Sequence, residues 1–284
     1  MVARRGMATE KQLKERMIAT TNIAKITKSM KMVSASKLRG DQSRLAAAKP
    51  FAAWTSRIHN TTRAYEELDV SDFPEKNLFV ICSSDKGLCG GVNTIISRMT
   101  RQAVAKLDAS NKESAILVLG DKGRAQLRRG YGDRFVASIT ERQVPYNFDL
   151  AAAIAAETID KEYDAIHIVY NTFKSAISYI PTIKTIVPLV DPNAPSLATF
   201  EVEPDNDAET LQNFHEYTLA TDIFFAMLEN ATSEQSSRMN AMENASKNAG
   251  EMIANLTLRY NRARQARITT ELIEIISGAA ALEG

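Results

Sequence analysis

"FHEYTLATDIFFAMLENATSEQSSRMNAMENASKNAGEMIANLTLRYNRA", residues 214–263 of a 284-residue chain, holds no proline and keeps one spacing from end to end. Phe214, Tyr217, Thr221, Phe224, Leu228, Ala231, Gln235, Arg238, Met242, Ala245, Ala249, Met252, Leu256, Arg259 and Ala263 follow one another in alternating steps of three and four. A seven-residue repeat kept up this long predicts a left-handed supercoil and requires a partner helix along its length. A helix from about residue 210 to 277 would measure on the order of 100 Å, several times the width of a small domain, so it is expected to project. Ala245, Ala249 and Gly250 lie on or near the seam and would let two backbones approach closely.

The partner is expected at the other end of the chain. All eight prolines fall between Pro50 and Pro204, leaving both flanks free to form long helices. Leu13, Met17, Ile23, Ile26, Met30 and Val33 give the N-terminal flank a matching stripe. Thr9 with Gln12 three residues later forms a capping box that places the helix start nearby, and Gly40 weakens the helix without ending it.

Between the flanks, the apolar runs 78–82, 115–119 and 165–170 read as strands, alternating with helical stretches near 92–107, 122–129 and 148–160. This βαβαβ rhythm favours a parallel, Rossmann-like sheet, followed by a strand in "YIPTIKTIVPLV" and a turn at "DPNAP". The expected fold class is therefore α/β, a long antiparallel coiled coil of N- and C-terminal helices plus a central Rossmann-like domain. The boundaries fall at residues 1–68, 69–207 and 208–284, with 1–8 as a possible leader remnant.

The first expected strand runs into "SDKGLCGG", residues 84–91, and the second into "GDKGR", residues 120–124. A strand entering a glycine-rich turn with a lysine suggests a phosphate cradle. Neither turn has the order G-x-x-x-x-G-K-[ST] or G-x-G-x-x-G, whose amides and side chains wrap phosphates. No G-x-S-x-G elbow or H-E-x-x-H pair occurs, and Cys82 and Cys89 lack a second cysteine or histidine at zinc-ligand spacing. Catalytic, cofactor-binding and metal-ligating residues are all expected to be absent.

Charge is informative by position. The chain carries 35 basic and 34 acidic residues, net +1, yet residues 10–49 hold ten Lys or Arg against three acids. Arg259, Arg262, Arg264 and Arg267 form a second basic cluster on the other flank. Nucleic acid and an acidic protein partner both fit these patches, although no zipper-like basic fork occurs and aromatics are sparse among the cations. In "ITTELIEIISGAAAL", residues 268–282, apolar side chains cover nearly the whole helix circumference, which calls for a surrounding sleeve. No apolar run approaches the ~20 residues that span a bilayer.

Three stretches carry a resemblance: "KITKSMKMVSASKLR" (25–39), "SSDKGLCGGVN" (83–93), and the span from "RMNAMENASKNAGEMI" at 238 to "ITTELIEIISGAAAL" at 282. They resemble the gamma subunits of rotary ATP synthases. The resemblance implies a non-catalytic rotor shaft that couples rotation to ATP synthesis or hydrolysis. Its terminal helices would wind together inside an alpha3beta3 ring, braced by a small epsilon/delta-type subunit and standing on a c ring, with no nucleotide and no nucleic acid bound. Lys86 would then meet an acidic segment of a beta subunit, as would Met30 and Lys31, while Arg264 and Gln265 would catch a beta-subunit loop. The family more often has arginine where Lys86 stands, so a point-charge contact replaces a forked one. Ile268, Leu272 and Ile276 would turn in an apolar collar, and Phe200, Glu203 and Asp205 of "TFEVEPDND" would form the foot on the c ring. "KITKSMKMV" and the basic, acid-free "MVARRG" favour the matrix side of the mitochondrial inner membrane, with the cytoplasmic side of a bacterial plasma membrane as the alternative.

Overall fold

The computed structural model describes residues 10–55, 62–64, 73–142, 144–159, 161, 163–187 and 208–283. Residues 1–8, read above as a possible leader remnant, the turn expected at "DPNAP" and the expected foot residues Phe200, Glu203 and Asp205 lie outside them. The chain forms two compact units, one of residues 1–33 with 241–284 and one of residues 34–240.

The first unit consists of the first half of α1 (Glu10–Ala53) and the C-terminal half of α5 (Ala208–Glu283). Glu10 pairs with Arg267, Thr20 meets Met252 and Lys31 pairs with Glu243. Numbers rise along one helix as they fall along the other, so the two run antiparallel. On α5, Met242, Ala249 and Leu256 are buried at seven-residue intervals, as the repeat predicts, whereas Met252 is more than half exposed.

On α1 the seam differs from the sequence expectation. Leu13 is buried, Met17 and Met30 are half-buried, but Ile23, Ile26 and Val33 are 53, 58 and 56% exposed. Thr20 and Thr27 are buried instead. Their hydroxyls donate to carbonyls of their own helix, Thr20 Oγ1 to Arg16 O at 2.8 Å and Thr27 Oγ1 to Ile23 O at 3.0 Å. Once the hydroxyl is satisfied internally, threonine presents a small face to the partner helix. A seam that brings Ala245 and Ala249 inward favours such compact residues over isoleucine.

The second unit is built on a six-stranded sheet of order β1-β6-β5-β2-β3-β4. Its strands are β1 (Thr62–Ala64), β2 (Lys76–Cys82), β3 (Glu113–Leu119), β4 (Phe135–Ile139), β5 (Ala165–Ser175) and β6 (Ser178–Ile186). Strands β2 to β5 are mutually parallel, as expected for β2, β3 and β5, while β4 adds a parallel edge strand the sequence reading did not place. β6 runs antiparallel to β5 because only Ala176 and Ile177 separate them, far too few residues for a crossover. β1 adds an antiparallel edge at residues the sequence reading gave to the helical arm, α1 having ended at Ala53.

Helices cover both faces of the sheet, so its central strands are continuous apolar runs. Leu78, Val80 and Cys82 face α4 (Phe148–Ile159) and the Leu219–Met227 stretch of α5. Phe79 and Ile81 face α2 (Val92–Ala109) and α3 (Asp121–Tyr131). Leu45 and Ala48 of α1 pack on Leu228, so α5 has α1 on one side and the sheet on the other.

One buried polar residue in this sheet is pH-sensitive. His167 of β5 stacks on Phe73 at 4.0 Å, with Nε2 2.9 Å from Asn77 Oδ1 and Nδ1 3.0 Å from Thr185 Oγ1. Burial drives its pKa down to about 3, so the neutral ring is the folded form. The unfolded chain, with an ordinary imidazole, takes up a proton first as pH falls. Stability is therefore lost from about pH 6.5 downward, at about 1.4 kcal/mol per unit until the folded pKa is reached. Between pH 7.5 and 5 the native chain should lose about 2 kcal/mol more than His167→Gln. Urea unfolding at each pH measures the difference, and parallel slopes would refute the assignment.

Candidate functional site

The two glycine-rich turns lie against each other at the C-terminal ends of β2 and β3. Ser83 N donates to Leu119 O at 2.7 Å, and Ser83 Oγ donates to the same carbonyl at 2.8 Å. The first amides of α3 are then taken in sequence. Asp121 N donates to Asp85 Oδ1, Lys122 N to Ser84 O and Gly123 N to Ser83 Oγ, each at 3.0 Å. A helix N-terminus in this position can hold phosphate because its amides are unsatisfied. Here the neighbouring turn of the same chain occupies them.

The glycines serve this approach. Gly120 has φ of 105°, and a Cβ there would sit 2.5 Å from Ser83 O. At Gly123 a Cβ would overlap Ser83 Oγ and lie 2.8 Å from Ser83 Cβ. Further along the first turn, Asn93 ties the loop to α2, accepting from Ser84 N at 3.0 Å and donating to Ser84 Oγ at 2.7 Å.

Two arginines frame the turn that carries Lys86. Arg142, its side chain 1% exposed, donates to Ser83 O at 2.6 Å, lies 3.6 Å from Asp85 Oδ2 and stacks over Tyr146. Arg238 pairs with Glu234 and donates to Lys86 O at 3.4 Å and Gly87 O at 3.3 Å. The sequence reading placed Arg238 on the helical seam and gave Arg142 no role; nothing in "ERQVP" marks a contact with a loop 57 residues earlier. With its carbonyl held from two sides, Lys86 projects an exposed ammonium with no partner among the described residues. Leu88 beside it is 63% exposed at φ 62°, a conformation that costs a branched residue about 1–2 kcal/mol. Asp85, Lys86, Arg142 and Arg238 line a cleft of about 640 Å³ together with Lys37 and Arg44 of α1.

The remaining expected contact residues lie in the first unit. Lys31 pairs with Glu243 at 2.8 Å, so its charge is partly met within the chain, and Met30 beside it is half-buried. Arg264 and Gln265 are exposed and their side chains have no partner among the described residues. Ile268, Leu272 and Ile276 continue along α5, 43, 53 and 65% exposed. The two thiols are passive: burial pushes Cys82 up to about 12, and burial also raises Cys89, so both stay protonated at neutral pH. Among these expected contact residues, Lys86 and Arg264 are exposed cations and Ile268, Leu272 and Ile276 are exposed apolar side chains.

A protein-family model described as ATP synthase matches residues 9–282. The ATP synthase gamma chain of Paracoccus denitrificans (strain Pd 1222) is 42% identical over 291 residues, covering 97% of this chain and 100% of that one. The mitochondrial ATP synthase subunit gamma of Ipomoea batatas is 42% identical over 284 residues, covering 96% and 85%. Among solved structures, a central stalk chain of the Tetrahymena thermophila mitochondrial ATP synthase aligns with TM-score 0.63 and 36% identity, over 78% of this chain and 99% of that one. A chain of the Euglena gracilis mitochondrial ATP synthase aligns with TM-score 0.81 over 96% of this chain and 94% of that one, and at 22% identity it speaks for the fold alone.

The contact between the two turns predicts a specific pattern of rescue. Gly123→Ala should cost about 2 kcal/mol by overpacking, and adding Ser83→Gly should recover at least about 1 kcal/mol of it, since Ser83 supplies the colliding atoms. Gly120→Ala should cost about 3 kcal/mol and resist rescue, because it strains its own φ and meets a backbone oxygen. Denaturant unfolding of the five variants, Ser83→Gly alone included, reads the couplings; equal rescue at both sites would contradict this geometry.

Proposed function

The chain belongs to the family of ATP synthase gamma subunits, and from that membership we propose how its surface does the work of a rotor. It is the central-stalk shaft of a rotary ATP synthase, coupling rotation of the c ring to conformational change in the catalytic alpha and beta subunits. The observation that carries the mechanism is the antiparallel helix pair of the first unit, which turns both charged and apolar side chains outward.

We infer that the subunit itself catalyses nothing. Its α3 amides are spent on its own chain and its thiols are protonated, which supports a mechanical role with the ATP chemistry left to the beta subunits. In this reading Lys86, Lys31 with Met30, and Arg264 with Gln265 contact acidic or loop segments of successive beta subunits as the shaft turns. Such contacts must form and break in every revolution. Opposite charges ~4 Å apart in bulk water gain only about 1 kcal/mol, enough to bias a beta subunit between conformations without locking the shaft. Three chemically identical sites become different because each meets a different face, and the differential contact is the coupling. Ile268, Leu272 and Ile276 suit a collar, since apolar contact has no preferred angle about the helix axis. A small epsilon/delta-type subunit bracing the α/β unit completes the assembly.

The subunit works peripherally to the membrane sector. We place that membrane in a mitochondrion, facing the matrix, on the likeness to the sweet-potato subunit; the equal identity to the Paracoccus chain favours a bacterial plasma membrane as the second reading. Purification from native membranes, with the bound partners and the compartment identified, tests both the assembly and its location.

Charge reversal tests the contacts. In the assembled complex, Lys31→Glu, Lys86→Glu and Arg264→Glu together should lower coupled turnover about tenfold, three losses of roughly 0.5 kcal/mol each. The rate of ATP-driven proton pumping is the measurement, and a wild-type rate in a fully assembled triple variant would remove these residues from the mechanism.

A further inference from the structure

Along α5, between Asp222 and Ser237, a row of polar side chains leaves the helix and bonds the α/β unit. Asp222, 2% exposed, accepts from Lys184 Nζ of β6 and from Thr55 Oγ1 just past α1, both at 2.6 Å. About two turns along, Glu229 Oε2 accepts from Phe173 N, and Asn230 Oδ1 accepts from Asn171 Nδ2 at 3.0 Å. Ser233 Oγ donates to Asn171 O at 3.0 Å, Ser236 Oγ to Ala176 O at 2.6 Å and Ser237 Oγ to Cys89 O at 2.6 Å. The row spans about 22 Å of helix and grips β6, β5 with its turn, and the β2–α2 loop.

Its energetics set it apart from the apolar face beside it. Leu219, Ala220, Ile223, Ala226 and Met227 already pack α5 onto the sheet. A buried ion pair such as Lys184–Asp222 contributes little net stability, because desolvation offsets the attraction, and apolar replacements of the whole pair are often neutral. Moreover, Asp222 Oδ2 is buried with no hydrogen-bond partner among the described residues, so the pair is not arranged for greatest stability. What hydrogen bonds add to apolar packing is direction: they weaken steeply as the angle changes, whereas the hydrophobic driving force has no preferred angle.

We propose that this polar row is the torsional joint of the rotor, fixing the angle of α5 about its own axis against the sheet so that torque carried by the helix reaches the α/β unit without slip. The inference rests on the central-stalk reading. Lys184 and Asp222 are its centre because they join β6, α5 and the end of α1 at one point. Ser236 and Ser237 act further along the helix, where they hold opposite turns of the unit, at Ala176 and Cys89.

The test uses the assembled complex with the alpha3beta3 ring immobilised and a bead on the α/β unit. The double variant Lys184→Met/Asp222→Leu is expected to unfold at an unchanged or higher denaturant midpoint and to hydrolyse ATP at the wild-type unloaded rate. The angular variance of its bead during pauses should nevertheless widen at least twofold. Glu229→Gln, which keeps an acceptor for Phe173 N, should leave the variance at the wild-type value. Should the double variant fail to assemble, Ser233→Ala/Ser236→Ala/Ser237→Ala decides, with widening again expected. Wild-type variance in an assembled variant overturns the joint. A wild-type chain that joins no rotating complex overturns the central-stalk reading instead.

Discussion

The structure of the α/β unit depends on burying α5 on two sides at once. From Leu219 to Glu234 nearly every residue is shielded, the sheet and α4 lying on one side and α1 on the other. A helix in that position cannot be amphipathic in the ordinary sense, and its polar residues must be matched one by one. Each buried Leu, Ile or Phe contributes about 1.5–3 kcal/mol, so Leu219, Ile223 and Leu228 account for the adhesion. Asp222, Glu229, Asn230 and Ser233 do not add comparably; they determine which way the helix faces. The alternation of Leu78, Val80 and Cys82 against Phe79 and Ile81 follows from the same demand, since a sheet with helices on both faces has no wet side.

How much of this could be seen in the sequence depended on whether the signal was local. The three-and-four spacing of α5 was legible because it recurs for fifty residues, and β2, β3 and β5 because double burial makes unbroken apolar runs. β4 was not: it is an edge strand, half-buried along most of its length, and "FVASI" resembles loop as much as strand. The three-residue β1 carries no pattern at all. On α1 the apolar count misled, since Ile23, Ile26 and Val33 form the better hydrophobic stripe while Thr20 and Thr27 form the seam. Only the close approach of a second backbone makes threonine the better residue, and that approach is invisible in one helix read alone.

The turns show the same division. Residue order set "SDKGLCGG" and "GDKGR" apart from the phosphate-loop templates, but the reason glycine is needed emerged only when Ser83 was found against Gly120 and Gly123. Lys86 and Arg264 were legible as exposed charge. Arg142, which holds the Lys86 turn through Ser83 and Asp85, acts across a separation no motif spans. That frame has a functional consequence. In the contact proposed for Lys86, a lone lysine charge is worth little, so its usefulness would lie in being presented at a fixed place, and a turn bonded by Asn93, Arg142 and Arg238 provides that.

The outward faces of the helix pair complete the physical picture. Ile18, Ile23, Ile26, Met32 and Val33 on α1, with Leu258, Ile273 and Ile275 on α5, are each more than half exposed. Isolated apolar residues on a surface are ordinary, but a concentration of this kind marks a surface made to be covered. For a shaft, covering it has a particular advantage. In the proposed coupling, apolar contact removes surface from water at any angle of rotation, so the energy of a turning shaft would stay nearly level, while the few charges interspersed on it would supply the small steps that distinguish one angle from the next. The described surface thus divides its labour: directional bonds lie inside the α/β unit, where nothing should turn, and nondirectional contacts lie outside, where everything must.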